Sequence, residues 1–359
     1  MKAEFNPEKF LEALEAFAES HGYELEIAFR LQSMFLRDLG TTSHDELARR
    51  FDAHPGWKEF CLSTIKNSPE INPGKITASS LREVTEQLAL PMTFKDVSIW
   101  ALFNALQTGA SAFAQTELPA YQEESTLNGS LFGQLRGMSR TWSREISPLV
   151  RNKLCSAHFT KIDLQVKKRE QVTGGDTAVF IECKDGDGRL HTIPLILQAK
   201  RFSREDANIS QRTGDIYQFH TLRGYWLPAA YIFFHNTKGR RIVRPLPPLV
   251  KDVHDVIYTE TPDKTSALTD SLPLANYILR LLSTAPDEFR YSSPADAVAA
   301  IAANVSPNDL VNVIVISPSR DAEYRFDAAW QSYLVENGYI TEPESKPDTE
   351  PDPSDDFGM

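Results

Sequence analysis

VTGGDTAVFIECKDGDGRLHTIPLILQAKR, residues 172–201, is the stretch on which the reading of this chain turns. It is a β-hairpin by its chemistry. The first arm is TAVFIEC, the turn is Lys184-Asp-Gly-Asp-Gly188, and the second arm is HTIPLILQAK. Asp-Gly pairs between two β-prone runs are a strong short-range hairpin signal, because glycine supplies the positive φ that tight turns need. In a hairpin centred on Asp187, residues whose numbers sum to about 374 face each other, which sets Asp176 opposite Gln198. Strand side chains alternate between faces, so Gln198 and Lys200 point the same way. A carboxylate, an amide oxygen and an ammonium therefore converge at one end of the hairpin. That end is a candidate metal and charge site.

Working outward, YQEESTLNGSLFGQLRGM precedes the hairpin, with Leu127, Leu131 and Leu135 at every fourth position of a helix. Glu123 and Glu124 open that helix, where acidic residues complement the helix dipole. HFTKIDLQVKKRE, residues 158–170, alternates apolar and polar residues as a half-buried strand does. After the hairpin, a polar helix is expected from Ser203 to about Leu222. YIFFHN, residues 231–236, is then a continuous apolar run of the kind buried inside a sheet. The order is helix, three strands, helix, strand. Farther on, helices are expected over about 272–282, 295–303 and 322–336, with a buried strand VNVIVISP over 311–318. The basic turn KGRR and the proline-rich RPLPPL lie between.

Residues 1–116 are helical in pattern and form an expected accessory domain. Asn6-Pro7 starts the first helix, a second covers about 24–39, and Thr42 or Ser43 caps a third. LREVTEQLAL and the segment from Asp96 to Ala114 supply two more. No paired carboxylates with a histidine and no glycine loop occur here, so the segment is expected to hold a partner, position substrate or cap the main domain. Residues 117–340 form the α/β domain, entered through Glu117-Leu-Pro119. Residues 341–359 hold seven acidic residues, one lysine and four prolines, a composition that cannot bury a core, and are expected to be a disordered tail or a peptide that docks on a partner.

The pattern of a helical glutamate, Asp176 at a strand start and Gln198-Ala199-Lys200 on its hairpin partner resembles the restriction-endonuclease-like nucleases of the PD-(D/E)xK type. Gln198 stands where that family usually has a carboxylate, which resembles the Q-x-K variant of Mrr-like restriction enzymes and some bacterial anti-phage nucleases. The phrases GGDTAVFIEC, PLILQAKR and YIFFHN also resemble a bacterial family with a GAD…QAK…Y-N pattern. The resemblance covers about residues 120–240. It implies a central mixed sheet flanked by helices, an α/β (α+β) fold, and endonucleolytic hydrolysis of DNA. It also implies Mg²⁺ or Mn²⁺ held by Asp176, Gln198 and Glu124, with Glu123 as the alternative to Glu124, and Lys200 acting on the attacking water or the phosphorane. Mg²⁺ prefers hard oxygen donors and keeps several waters, so one or two carboxylates suffice. A non-catalytic nucleic-acid-binding subunit and a nuclease acting on RNA are the alternatives.

Net charge is −11 in 359 residues, yet it is unevenly spread. Lys and Arg against Asp and Glu give −8 for residues 1–130, +8 for 131–260 and −11 for 261–359. The basic third contains the hairpin, as a phosphate-binding surface requires. Cys61, Cys155 and Cys183 have no zinc-type spacing, and the expected setting is a reducing cytoplasm. No apolar run is long enough for a transmembrane helix. His158, His191, His220 and His235 show no ligand-pair spacing, and only His235, on the YIFFHN strand, is a candidate for proximity to the site.

Overall fold

A computed structural model describes residues 7–20, 33, 41–146, 158–162, 176–184 and 187–340. The helix expected over about 24–39 and the strand expected beyond Ile162 fall outside these residues, Ser33 apart, as does the acidic tail 341–359. No helix among the described residues is long and apolar enough to cross a membrane.

The chain is a mixed α/β protein, with a mixed central sheet flanked by helices. Helices α1 (Pro7–Ser20), α2 (Thr42–Ala53), α3 (Pro55–Lys66), α4 (Leu81–Leu88), α5 (Val97–Thr116) and α6 (Glu124–Ile146) come first. Strands β1 (His158–Ile162), β2 (Asp176–Lys184) and β3 (Leu190–Phe202) follow, then the short β4 (Asp206–Asn208), β5 (Arg212–Thr213) and β6 (Ile216–Tyr217). Next are α7 (Gln218–Arg223), β7 (Ala229–His235), β8 (Leu249–Asp252), β9 (Lys264–Ser266) and β10 (Leu272–Pro273). Helices α8 (Leu274–Thr284) and α9 (Pro294–Ala302), strand β11 (Leu310–Ser317) and helix α10 (Ala322–Glu336) complete the described chain.

The main path through the sheet is β1-β11-β2-β3-β7-β8-β10. Strands β11 and β2 run parallel, as do β3 and β7, while the β2–β3 hairpin is antiparallel. Hairpin pairing runs from Thr177 with Leu197 to Lys184 with Leu190, every pair summing to 374. Gly188, at φ 79°, supplies the left-handed turn residue. Strand β3 is central and buried over Thr192–Lys200, which explains its unbroken apolar run.

Each face of the sheet has its own helices. Phe180 packs on Phe326 and Trp330 of α10, at centroid distances of 4.9 and 6.3 Å. On the opposite face, Phe113 of α5 meets Phe234 at 5.6 Å, and Asn128 of α6 donates to the Thr177 hydroxyl at 2.8 Å. Helices α5 and α6 approach closely at Gly109, where a Cβ would stand 2.8 Å from Leu135 Cδ2. Trp100 and Trp142 close that interface edge to face at 5.5 Å, and Trp142 donates its indole N–H to Thr108.

The N-terminal helices share this core. Buried apolar residues run in one cluster from Leu14 to Leu334. Trp57 of α3 donates its indole N–H to the Ser271 carbonyl at 2.7 Å, and Ser68 meets Ser283 at 2.9 Å. The N-cap of α2 is Thr41, which accepts from His44 N, rather than Thr42 or Ser43. The long polar helix expected from Ser203 to Leu222 is not formed. Only α7 is helical there, because Asn208 accepts from Ser210 N in a local turn, Gly214 takes φ 61°, and Asp206–Asn208 pairs with β9.

Candidate functional site

The observed β2–β3 pairing ends at Thr177 with Leu197, so Asp176, the first residue of β2, and Gln198 lie one step beyond the last pair. Asp176 itself pairs with Leu310 of β11 at a register shift. Asp176 is placed by its backbone alone. Gln198 is wholly buried, and Lys200, two residues on and therefore on the same face, is nearly so. A buried ammonium needs hydrogen-bond acceptors. The Lys200 Nζ donates to Gln211 Oε1 at 2.6 Å and to Gln218 Oε1 at 3.1 Å. These two glutamines bracket the β5–β6 hairpin, whose base is closed by Gln218 N donating to Gln211 O at 2.9 Å. The small hairpin is thus tied directly to the lysine.

Arg201 points the other way and gathers the start of α6. Its main-chain N–H donates to Glu124 Oε1 at 3.2 Å, and its guanidinium lies 3.5 Å from both Glu124 and Glu123. It also donates to the Gln122 carbonyl at 3.2 Å and sits 4.8 Å from the Tyr121 ring centroid. Glu124 is partly buried, whereas Glu123 is exposed. Gln198 and Lys200 thus share a face, whereas Glu124 is drawn to Arg201 on the opposite face.

What fixes Glu124 in place is Asn236, the last residue of YIFFHN. Its buried amide donates to the carbonyls of Leu118 and Ala120 at 2.9 and 2.6 Å and accepts from Gln122 N at 3.3 Å. That staple holds the segment leading into α6 against the end of β7. His235 beside it is structural. Its Nδ1 accepts from Leu246 N at 3.0 Å, and its Nε2 donates to the Ser203 carbonyl at 3.3 Å. Burial pushes its pKa down to about 4, so the neutral ring is the folded form.

A cleft of about 720 Å³ opens at the carboxyl ends of the parallel strands β3 and β7. Carboxyl ends of parallel strands are where open α/β sheets bind ligands. Five basic side chains line it, Arg201, Arg204, Lys238, Arg240 and Lys264, against the acidic Glu124 and Asp206. Its electrostatics suit an anion. Asp176, Gln198 and Glu124 carry oxygen donors, the hard type that Mg²⁺ and Mn²⁺ prefer, but Glu124 is held by Arg201 on the face opposite Gln198. Among the described residues there is no ready cluster of three His, Cys, Asp or Glu ligands.

No family model, no curated protein and no solved structure matches the chain. Sequence reasoning missed Arg201, although it directly follows Lys200, and it missed Asn236 as the residue that seats Glu124. Gln211 and Gln218 carry no sequence signal, since their role exists only through contact with Lys200. The KGRR turn was visible as basic, and two of its residues, Lys238 and Arg240, line the cleft.

Proposed function

We propose that this chain is a metal-dependent endonuclease of restriction-endonuclease-like architecture that hydrolyses phosphodiester bonds in DNA at the Asp176 end of the β2–β3 hairpin. The observation that carries the reading is the basic cleft, which opens at the end of the strand that bears Gln198 and Lys200. A nucleic-acid backbone brings closely spaced phosphates, and lysines and arginines that displace its counterions bind it. Arg201 is the first candidate to meet a phosphate, because arginine recognises phosphate oxygens with its planar fork. As the guanidinium turns to phosphate, Glu124 loses its side-chain ion pair but keeps the Arg201 main-chain hydrogen bond on its own face of β3. A divalent cation held by Asp176 and Gln198 would stabilise charge on the phosphoryl oxygens and lower the pKa of a bound water. Lys200 supplies a fixed positive charge for the attacking water or the developing phosphorane, and Gln211 and Gln218 hold its amine in register. Restriction or anti-phage defence is the setting that the resemblance of the Gln198-Ala199-Lys200 motif suggests, with RNA as the alternative substrate.

Burial of Lys200 and engagement of Glu124 by Arg201 favour a second reading, a non-catalytic nucleic-acid-binding subunit. One panel separates them. Purified chain is incubated with plasmid DNA, linear DNA and RNA in Mg²⁺, Mn²⁺ or EDTA, beside Asp176→Ala. Cleavage of DNA that needs metal and Asp176 is the expected result. Binding to all three without cleavage selects the second reading, and metal-dependent loss of RNA alone selects the RNA nuclease.

A further inference from the structure

The wall of the basic cleft continues into an aromatic surface that the cleavage chemistry does not use. Asn208 and Lys264 both line the cleft and pair with each other in the β4–β9 ladder. Ile209 N extends that pairing by donating to the Asp263 carbonyl at 2.9 Å. From this point one chain runs into the β5–β6 hairpin, and the other leads back to Tyr258. The two are rejoined through rings. Tyr217 lies 5.8 Å from His220, and His220 lies 5.6 Å from Tyr258, centroid to centroid. The rings are tilted by 80° and 54°, so they do not cover one another's faces. Arg212 stacks over Tyr217 at 4.0 Å. Tyr258 is 59% exposed, and Ile216, beside the Gly214 turn, is equally so.

An exposed ring, Tyr258, thus stands beside the half-buried rings of Tyr217 and His220, with Arg212 over Tyr217 and Arg223 over Tyr258. Next to a basic groove, this is the kind of surface that sequence-tolerant binders of unpaired nucleic acid use, because every base offers a π-face. An exposed isoleucine on a tight hairpin has the form of the apolar wedges that enter between bases. We infer that Tyr217, His220 and Tyr258 form a stacking platform, with Ile216 as its wedge, for a single-stranded or locally melted stretch of nucleic acid whose backbone lies in the basic cleft. This rests on the nucleic-acid reading above, but not on the cleavage step. It deepens that reading by naming the substrate class: a strand with unpaired bases. The glutamines that hold Lys200 are the two residues flanking the hairpin, so a strand seated on the platform would be in register with the lysine.

The test is equilibrium binding in EDTA, by fluorescence anisotropy, of labelled oligo(dT) and of a duplex of equal length. Wild type is expected to bind the single strand more tightly than the duplex. Tyr258→Ala and Ile216→Asp are expected to weaken oligo(dT) binding by about tenfold and duplex binding by less than about twofold, with Tyr258→Phe restoring the single-strand affinity. Ring-dependent single-strand binding by a chain that cleaves nothing would support the platform while removing the catalytic reading. Equal losses on both ligands, no loss on either, or no binding of either ligand by wild type would overturn it.

Discussion

Two carboxylate–arginine pairs sit on the sheet and differ in almost everything but composition. Near the carboxyl end of β2, Glu182 is buried and receives both Nη1 and Nη2 of Arg325 at 2.8 Å, with the Ser317 hydroxyl as a third donor. At the carboxyl end of β3, Glu124 meets the Arg201 guanidinium at 3.5 Å, both residues partly open to solvent at the wall of the cleft. The first is a two-pronged bond between a strand and helix α10. Breaking it strands a buried charge, so it is a fixture of the fold. The second is long and screened, and pairs of that kind contribute about 1 kcal/mol or less. A weak pair at the mouth of a basic cleft is one a phosphate can displace. Geometry, not residue type, separates a structural pair from an exchangeable one.

The contrast breaks first at the closed pair. Arg325→Met should cost about 3–5 kcal/mol in urea unfolding, because the buried Glu182 side chain loses its main partner. A loss below about 1 kcal/mol would make the two pairs equivalent. Acid should act next, in part at the open end, where His235 links Ser203 to Leu246. Burial holds His235 and also His44 of α2 at about 4, below the ordinary 6.5. Above pH 6.5 both are neutral folded or unfolded, and nothing is lost. Below it the unfolded chain takes up protons that the folded chain refuses. Stability should therefore fall from about pH 6.5 to about 4, by up to about 3 kcal/mol per histidine, and level off below. Melting temperature against pH, for wild type and His235→Gln, reads this directly, and the variant should lose part of the acid limb. The smallest effect on stability belongs to the open pair. Arg201→Met should shift unfolding by under about 1 kcal/mol yet lower the salt slope of DNA binding by about one, as loss of one phosphate contact does. An unchanged slope would mean that Arg201 serves Glu124 alone.

Much of the scaffold was legible because its signals are local. The Asp-Gly turn set the hairpin register to the residue over Thr177–Leu197 to Lys184–Leu190. Helix α10 and strand β11 lie where their periodicity put them. The segment after Lys200 was misread because its polar residues suit a helix surface, while Asn208 and Gly214 close turns whose weight depends on pairing with β9. The candidate site was half legible. Gln198 and Lys200 share a face by strand alternation, a rule that needs no tertiary contact. The attraction of Glu124 to Arg201 joins residues 77 positions apart and depends on Asn236 seating the start of α6. No periodicity encodes that. The same holds for Trp57 and Ser271, whose hydrogen bond ties the N-terminal helices to the sheet domain's core.

The central claim is that Lys200 acts in phosphodiester cleavage and is not merely a buried support for the β5–β6 hairpin. Its most direct test is the single-turnover cleavage rate of labelled DNA in Mg²⁺ by Lys200→Met, with the melting temperature taken on the same preparation. The rate should be lower by about a hundredfold or more, with a melting temperature close to wild type. A folded Lys200→Met chain that cuts DNA at the wild-type rate would contradict it.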